Sequence, residues 1–269
     1  MPDADPSTAY AQHRARLVQA MRMGGALALS FFGTPVRQWT KGTASPVSEA
    51  DIAVNDLLRQ TLCGTDCDAG WLSEESPDQP ERLVRERVWV VDPIDGTRAF
   101  LAGHEDWSLS AALVESGRPV LAAVYAPVSD QFFFAAKGEG AWLNSVRIRA
   151  TEGEQIAKTC IAGPQKLIER LNLTQSDITV VPKIGSLALR LARVAEGRID
   201  VALAGGNSHD WDLAAADLLV HEAGGRMTAL SGEGLVYNRP QLVHQVLMAA
   251  GGARHARLLG HFRQTGWTG

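Results

Sequence analysis

The segment at residues 88–98, VWVVDPIDGTR, constrains the fold of this chain more than any other. It starts as a short, uniformly apolar run, which is the pattern of a buried strand. Asp92 and Asp95 follow the run, and Gly96-Thr97 then has the residues of a helix start. Because the Pro-Ile spacer forces a turn, both carboxylates are expected to converge at the end of the strand. The segment therefore predicts a strand–turn–helix unit with two acidic groups at its bend.

This unit suits the chemistry of phosphate esters. A helix start offers free backbone N–H groups and a partial positive charge, which together bind phosphate. Carboxylates next to a phosphate repel it unless a hard cation lies between them. We therefore interpret Asp92 and Asp95 as Mg²⁺ ligands, with the substrate phosphate on the far side of the metal. Taken alone, the same two residues also fit a turn with Asx caps.

Two further acidic clusters favour a shared site. Glu74 and Glu75 follow a short apolar run, and Asp210 and Asp212 stand at the start of a predicted helix. Each cluster alone has a structural alternative. The first fits a solvated turn, and the second fits a partner of the helix dipole, worth about 0.3–1 kcal/mol. Both clusters would support a metal site at the first segment, and the residues alone leave these alternatives open.

Helices and strands are predicted along the whole chain. A first helix spans residues 7–32, with Ser7 as N-cap and Gly33 beyond its end, and a second begins at the capping box Ser48–Asp51 and ends at Gly64. Short apolar runs bounded by turn residues then predict a mixed, largely antiparallel sheet. These runs are residues 71–73, 88–91, 109–114, 120–125 and 132–135.

After about Thr151 the pattern changes to alternating strands and helices. The predicted strands are residues 160–161, 178–181, 199–203 and 246–249, and the predicted helices are residues 165–171, 186–196, 211–223 and 253–262. We therefore expect a layered α/β (α+β) fold in two halves, an N-terminal half 1–150 with most of the acidic motifs and a C-terminal half 151–269 that completes the site.

Composition excludes several classes of protein. An apolar fraction of 45% with 21% charged residues is ordinary for a globular chain. A net charge of −4 gives no field to hold a nucleic-acid polymer or an anionic membrane. The longest apolar stretch, residues 24–32, is far short of the roughly twenty residues that span a bilayer. The three cysteines, two of them spaced as Cys63-x-x-x-Cys67, form neither a disulfide framework nor a zinc module. We predict a cytoplasmic protein.

Four motifs in order together resemble the inositol monophosphatase superfamily. They are Ser48-Glu-Ala-Asp51, Glu74-Glu75, Asp92-Pro-Ile-Asp-Gly-Thr97 and Trp211-Asp-Leu-Ala-Ala215. With Glu222-Ala-Gly-Gly225, the resemblance covers nearly the whole chain. It implies an αβαβα five-layer sandwich and a phosphomonoesterase that uses two or three Mg²⁺ ions. It also implies lithium sensitivity and, since homodimers are common in the family, a homodimer.

The resemblance assigns roles to matching residues. The metal ligands would be Glu74, Asp92, the carbonyl of Ile94, Asp95 and Asp212. Asp51 and Thr97 would activate the attacking water, with Glu74 contributing to catalysis as a ligand, and the N–H groups of Gly96 and Thr97 would hold the phosphate. A metal site also follows from electrostatics, independently of the resemblance. Clustered carboxylates raise one another's pKa, so they ionise together only when cations lie between them.

The sequence departs from the usual pattern of inositol-specific members at two positions, and these differences indicate the substrate. Inositol-specific members usually carry Asp-Gly-Thr-Thr-Asn-Phe, whereas Arg98 follows Thr97 here, as in the 3′(2′),5′-bisphosphate nucleotidase and histidinol-phosphatase branches. Inositol-specific members also place a glutamate where this chain has Gly205. The stretch from Lys41 to Asp51 is similar to the nucleotidase branch. We therefore predict hydrolysis of the 3′-phosphate of adenosine 3′,5′-bisphosphate to AMP, a small-molecule phosphate ester.

Three further residues are predicted to bind substrate: Arg98, Gly185 and Ser186. The alternatives are that Arg98 covers a helix start with its aliphatic stem and that Ser186 is an N-cap.

Two other functions stay open. The first is an inositol monophosphatase or a broad sugar or histidinol phosphate phosphatase with the same metal core. The second is a non-catalytic binding module on this fold.

Overall fold

A pair of helices joined by a short hairpin opens the fold. The computed structural model describes residues 10–41, 45–64, 68–171 and 178–265, so the predicted N-cap Ser7 and Cys67 lie outside the described residues. Helix α1 (Ala11–Phe31) is followed by strands β1 (Gln38–Lys41) and β2 (Ser45–Ser48), which sequence patterns did not predict, and by helix α2 (Glu49–Cys63). As predicted, Asp51 closes the start of α2: its Oδ2 accepts hydrogen bonds from the Ser48 N–H at 2.7 Å and the Ser48 hydroxyl at 2.5 Å.

A large sheet follows the helices. In the described part of the chain it has seven strands in sequence order, with β3 parallel to β4 and every later neighbour antiparallel, as predicted. Its strands are β3 (Gly70–Ser73), β4 (Arg87–Asp95), β5 (Ser108–Glu115), β6 (Arg118–Ala126), β7 (Gln131–Ala136), β8 (Gly140–Leu143) and β9 (Val146–Ile148). A 3₁₀ turn (Pro80–Val84) precedes β4, and helix α3 (Thr97–Leu101) follows it.

A smaller mixed sheet is built from the second half of the chain. Among the described residues its strands lie in the order Thr179–Val180, Cys160–Ala162, Val201–Ala204, Leu247–Gly251 and Gly225–Ala229; the first three run parallel, and the fourth is antiparallel to both of its neighbours. Its strands are β10 (Cys160–Ala162), β11 (Thr179–Val180), β12 (Val201–Ala204), β14 (Gly225–Ala229) and β16 (Leu247–Gly251). Short strands β13 (Ser208–His209) and β15 (Val243–His244) pair beside it.

Four helices accompany the smaller sheet. They are α4 (Gln165–Arg170), α5 (Leu187–Ala195), α6 (Asp210–Glu222) and α7 (Gly252–Thr265). Helices α5 and α6 lie between the two sheets, α1 and α2 cover the outer face of the large sheet, and α4 and α7 cover the outer face of the small one. The predicted αβαβα sandwich is confirmed.

The position of strand β4 between two helical layers explains why residues 88–91 are all apolar. Trp89 and Val91 pack toward α1 and α2, whereas Val88 and Val90 pack toward α5 and α6. Successive side chains of a strand point to opposite faces, so a strand between two helical layers needs apolar residues at every position. Its carboxyl end therefore emerges from a fully covered core, beside the start of α6. No helix in the described ranges is long and apolar enough to cross a membrane.

Candidate metal and phosphate site

Three aspartates meet where β4 ends and α6 begins. One carboxylate oxygen from each of Asp92, Asp95 and Asp212 lies within 4.8 Å of the others. Pairing between β4 and β5 shifts between Asp92 and Asp95, which lets both side chains leave the strand on the same side. Asp212 is in the first turn of α6, and its Oδ2 accepts the His209 N–H at 2.6 Å. The predicted convergence of the acidic motifs is therefore present for these three residues.

The aspartates repel one another strongly. Asp92 and Asp95 are buried, and burial followed by the charges of Glu74 and Asp95 raises the pKa of Asp92 well above its ordinary value. Burial and the charge of Asp95 raise the pKa of Asp212 in the same way. Clustered oxygen donors of this kind suit a hard cation such as Mg²⁺, which removes the repulsion by neutralising it.

Glu74 lines the same cavity from the end of β3. Burial, then repulsion from Glu75 and Asp95, raises its pKa to about 7. Lys41 from the β1–β2 hairpin donates to the Glu74 carbonyl oxygen and lies 3.5 Å from Glu75 Oε2. The two glutamates thus differ: Glu75 pairs with Lys41, whereas the Glu74 carboxylate is repelled by the charges of Glu75 and Asp95.

Thr97 lies between Asp51 and the β4 turn. Its Oγ1 is 3.2 Å from Asp51 Oδ1 and 3.1 Å from the carbonyl oxygen of Ile94. A hydroxyl has one proton, so it donates to only one of these acceptors at a time. Asp51 is almost fully buried, which raises its pKa although hydrogen bonds from Ser48 and Thr97 oppose the shift.

Gly96 is required by the geometry of this turn. Its φ of +91° is in the left-handed region, which favours glycine, and a Cβ here would lie 3.0 Å from the Ser186 backbone nitrogen. The close approach brings the start of α3 against the start of α5. Gly96, Thr97 and Arg98 all line the cavity that holds the acidic cluster.

Ser186 does not lie on the cavity surface, so the expectation that it contacts substrate is corrected. It is fully buried, and its hydroxyl donates to Asp95 Oδ2 at 2.6 Å, beside the Ala188 N–H at the same distance. Its Oγ also accepts the Leu189 N–H at 2.9 Å, so the N-cap alternative is confirmed. Ser186 holds Asp95 in place because a buried carboxylate needs donors for its oxygens.

Gly185, the neighbouring prediction, does line the cavity. Its N–H donates to the Asp106 carboxylate, and a Cβ at this position would be 2.5 Å from Ala99 Cβ in α3. The cavity measures about 1010 Å³. Its wall includes three residues that no sequence motif singled out: Asp106, Lys183 and Asn207.

Asp210 is the acidic residue of its motif that does not join the metal cluster. Its carboxylate accepts the Asn238 N–H at 2.7 Å and lies 2.7 Å from His244 Nε2, with both side chains buried. Residues two apart on a helix point in nearly opposite directions, so Asp210 anchors α6 while Asp212 faces the site. His209 stacks on Trp211, with ring centroids 4.6 Å apart.

Comparisons with known proteins agree with this geometry. A profile of the Inositol monophosphatase family matches residues 10–266. An inositol-1-monophosphatase of Rhizobium meliloti is 34% identical over 206 residues, 72% of this chain and 76% of that protein. A histidinol-phosphatase of Mycobacterium tuberculosis is 35% identical over 205 residues, 72% and 77% of the two chains. A 3′(2′),5′-bisphosphate nucleotidase CysQ of Salmonella typhimurium is 33% identical over 213 residues, 76% and 84%.

The fold has solved counterparts as well. The crystal structure of extragenic suppressor protein suhB from Bartonella henselae superposes with a TM-score of 0.82 at 29% identity, covering 93% of this chain and 98% of that one. The three relatives above differ in the substrate that their names state, yet they are almost equally similar to this chain. Similarity over the whole chain therefore does not select a substrate, and the residues of the cavity must do so.

Proposed function

Because the chain belongs to the inositol monophosphatase family and is a phosphatase of that family, we propose that it removes the 3′-phosphate of adenosine 3′,5′-bisphosphate, leaving AMP and phosphate, with Mg²⁺ as its cofactor. The observation that carries this proposal is the meeting of Asp92, Asp95 and Asp212 beside the Asp51–Thr97 pair. This combination supplies metal ligands and a hydroxyl that orients water at the same end of one cavity.

The residues present fit the cofactor. Asp92, Asp95 and Asp212 would hold Mg²⁺, joined by Glu74 and the Ile94 carbonyl, and the family leads us to expect two or three ions. The pKa values of Asp92, Asp95 and Asp212 are all raised, chiefly by burial, and a divalent cation would stabilise the charged form of each carboxylate. Bound Mg²⁺ supplies a water of lowered pKa and stabilises negative charge on the phosphate oxygens.

Asp51 and Thr97 position the attacking water. When the Thr97 hydroxyl donates to Asp51 Oδ1, Thr97 Oγ1 keeps a lone pair that accepts a hydrogen bond from that water. Asp51 cannot turn away, because Ser48 holds its other oxygen with two hydrogen bonds. The water is thereby oriented toward phosphorus, while the N–H groups of Gly96 and Thr97 hold the phosphate.

Arg98 and Gly205 support the nucleotide as substrate. Arg98 on the cavity wall adds a positive charge that suits an ester with more than one phosphate. Gly205 has no side chain to bind the hydroxyls of an inositol ring, and nothing lies within 4 Å of the Cβ that it lacks. Inhibition by lithium, a homodimer and a cytoplasmic location remain predictions.

A phosphate-release panel tests this proposal. With Mg²⁺, we expect the highest kcat/KM for adenosine 3′,5′-bisphosphate, against inositol 1-phosphate, fructose 1,6-bisphosphate and histidinol phosphate. Asp95→Asn is the control, since it removes a ligand charge with little change of shape and should abolish release while circular dichroism stays the same. Preference for inositol 1-phosphate would support the alternative that the Rhizobium meliloti relative suggests. No release from any ester would favour a binding module.

A further inference from the structure

A second cavity adjoins the first on the side of α5. It measures about 740 Å³ and shares part of its wall with the first, including His104, Asp106 and Lys183. Val181, Ile184 and Leu189 give it an apolar side. A ligand whose phosphate lies at the aspartate cluster can therefore continue past Lys183 into this second space.

Lys183 is the cation at the junction of the two cavities. It is exposed, and within the described ranges it makes no ion pair with a carboxylate. Two other cations of these walls pair with carboxylates: Arg193 lies 2.8 Å from Glu196, and Lys41 lies 3.5 Å from Glu75. Arg98 lines the first cavity only, on the side of the reacting phosphate.

The two acidic residues at this wall are Glu105 and Asp106. The Gly185 N–H donates to the Asp106 carboxylate and holds it in place. Among the described residues, no salt bridge joins Lys183 to Glu105 or to Asp106. Among the described lysine and arginine side chains of this wall, Lys183 is therefore the one without a carboxylate partner, and its ammonium group is available to bind an anionic ligand.

The backbone around Lys183 is fixed on both sides. The Val181 N–H donates to the Ile161 carbonyl at 2.8 Å, and the Ser186 N–H donates to the Asp106 carbonyl at 2.8 Å. Gly185 packs against Ala99 in α3, which puts this segment beside the helix start where the reacting phosphate is expected. A cation on a fixed segment loses less freedom on binding than one on a free loop.

We propose that Lys183 binds a second anionic group of the substrate, so that the site selects esters with two negative groups, and that the apolar side of the second cavity receives the remainder of the molecule. This inference rests on the proposed function and deepens it. For adenosine 3′,5′-bisphosphate the second group is the 5′-phosphate. Inositol 1-phosphate has no second anion, and histidinol phosphate has a cationic amine in its place, so neither would gain from Lys183.

The test compares two substrates that differ by one group. Adenosine 3′,5′-bisphosphate and adenosine 3′-monophosphate share base, ribose and reacting phosphate, and only the first has the 5′-phosphate. We expect Lys183→Gln to reduce the preference for the bisphosphate by about tenfold, through KM and not kcat, since a hydrogen bond to a charged group is lost. Lys183→Arg should keep most of the preference. Lys166→Gln, an exposed lysine on α4, is the matched control and should change neither substrate.

Direct binding gives a readout without turnover. Calorimetric titration of metal-free protein with AMP and with adenosine should show an AMP affinity about tenfold weaker in Lys183→Gln and an adenosine affinity that does not change. An equal loss with both substrates, or no loss with either, would overturn the role of Lys183 alone. A wild-type protein that prefers inositol 1-phosphate would instead overturn the proposed function, and this inference with it.

Discussion

Asp95, which we propose as a metal ligand, shows how one side chain is positioned by contacts far along the chain. Its Oδ2 accepts both the Ser186 hydroxyl and the Ala188 N–H, although Ser186 is 91 residues away in sequence. These two donors fix the Asp95 carboxylate beside Asp92 and Asp212. The geometry of the cluster therefore depends on a serine that is buried behind the cavity wall.

Ser186→Ala should weaken the response to Mg²⁺ more than it weakens the fold. The change removes a 2.6 Å hydrogen bond to Asp95 and the N-cap of α5. We expect kcat/KM to fall about tenfold, the Mg²⁺ concentration for half activity to rise, and the free energy of unfolding to fall by about 1–2 kcal/mol. Ser108→Ala is the control: Ser108 lies 2.8 Å from the Ser186 hydroxyl and pairs with Asp95 across β4 and β5, but among the described residues its hydroxyl makes no hydrogen bond to the Asp95 carboxylate. Equal Mg²⁺ responses in both variants would contradict the role of Ser186.

Glu74 gives the metal-free protein a pH dependence with a definite sign. Its pKa of about 7 in the folded protein is above the ordinary value of 4.5, so the folded state keeps a proton that the unfolded state releases. The stability of the metal-free protein should therefore fall as pH rises from about 4.5 to about 7. Because Mg²⁺ displaces this proton, the gain in thermal midpoint on adding Mg²⁺ should be larger near pH 8 than near pH 6.

Thermal unfolding at both pH values, with and without Mg²⁺, checks this expectation. Glu74→Gln, which cannot ionise, should lose part of the pH dependence, and the rest should come from Asp92 and Asp212, whose pKa values are also raised. The assignment would be wrong if the variant kept the full pH dependence of the wild type.

Among the elements, helix α2 supports two parts of the site at once. Asp51 in its first turn holds Thr97, and Asn55 one turn later faces the segment that carries Glu74. The Asn55 side-chain oxygen accepts the Ser73 hydroxyl at 2.7 Å, and its amide donates to Ser76 Oγ at 3.2 Å. Asn55 thus clamps both ends of the turn around Glu74.

Asn55→Ala should loosen that turn. The buried Ser73 hydroxyl and the half-buried Ser76 hydroxyl each lose a partner, so we expect the free energy of unfolding to drop by about 1–3 kcal/mol. If Asn55 positions Glu74, the Mg²⁺ concentration for half activity should also rise several-fold, which a purely structural role would not cause. Gln60→Ala, an exposed position on the same helix, is the control and should leave both quantities unchanged. Lower stability with an unchanged Mg²⁺ response would show that Asn55 serves the fold alone.

For the molecule as a whole, α5 and α6 join the two sheets into one packed core. One buried cluster contains Val124 of the large sheet, Leu219 of α6 and Ala249 of the small sheet. The aspartates meet because α6 packs against β4 and β5 in this layer. The aspartate cluster therefore forms only when α6 is docked on the large sheet, and the small sheet packs on α6 in the same core.

Leu219→Ala tests this coupling. The side chain is fully buried between the sheets, so its truncation should cost about 2–5 kcal/mol of unfolding free energy. Tryptophan fluorescence and Mg²⁺-dependent activity, followed through a urea titration, should shift together to lower urea. Leu83→Ala, at a position 40% exposed, should shift neither curve. Loss of activity well before loss of fluorescence would indicate that the layers separate independently.

Local patterns predicted a large part of this protein. The β4 run, the turn with Asp92 and Asp95, the glycine at residue 96 and the capping box at Ser48 follow from interactions within a few residues of sequence. Sequence patterns missed strands that are short or mixed in composition. Strands β8 and β9 are short, and β14 contains the polar residues Arg226 and Thr228. Periodicity carries little information over so few residues.

The sequence by itself thus determined the layered architecture, because strand and helix patterns are properties of neighbouring residues, and the resemblance of its four motifs to a known family indicated which acidic motifs belong together. Only the tertiary structure decided that Ser186 holds Asp95, that Asn55 clamps the Glu74 turn and that Lys183 stands between two cavities. These contacts join residues far apart in sequence, and no local pattern encodes how the sheets and helices pack to bring them within hydrogen-bonding distance.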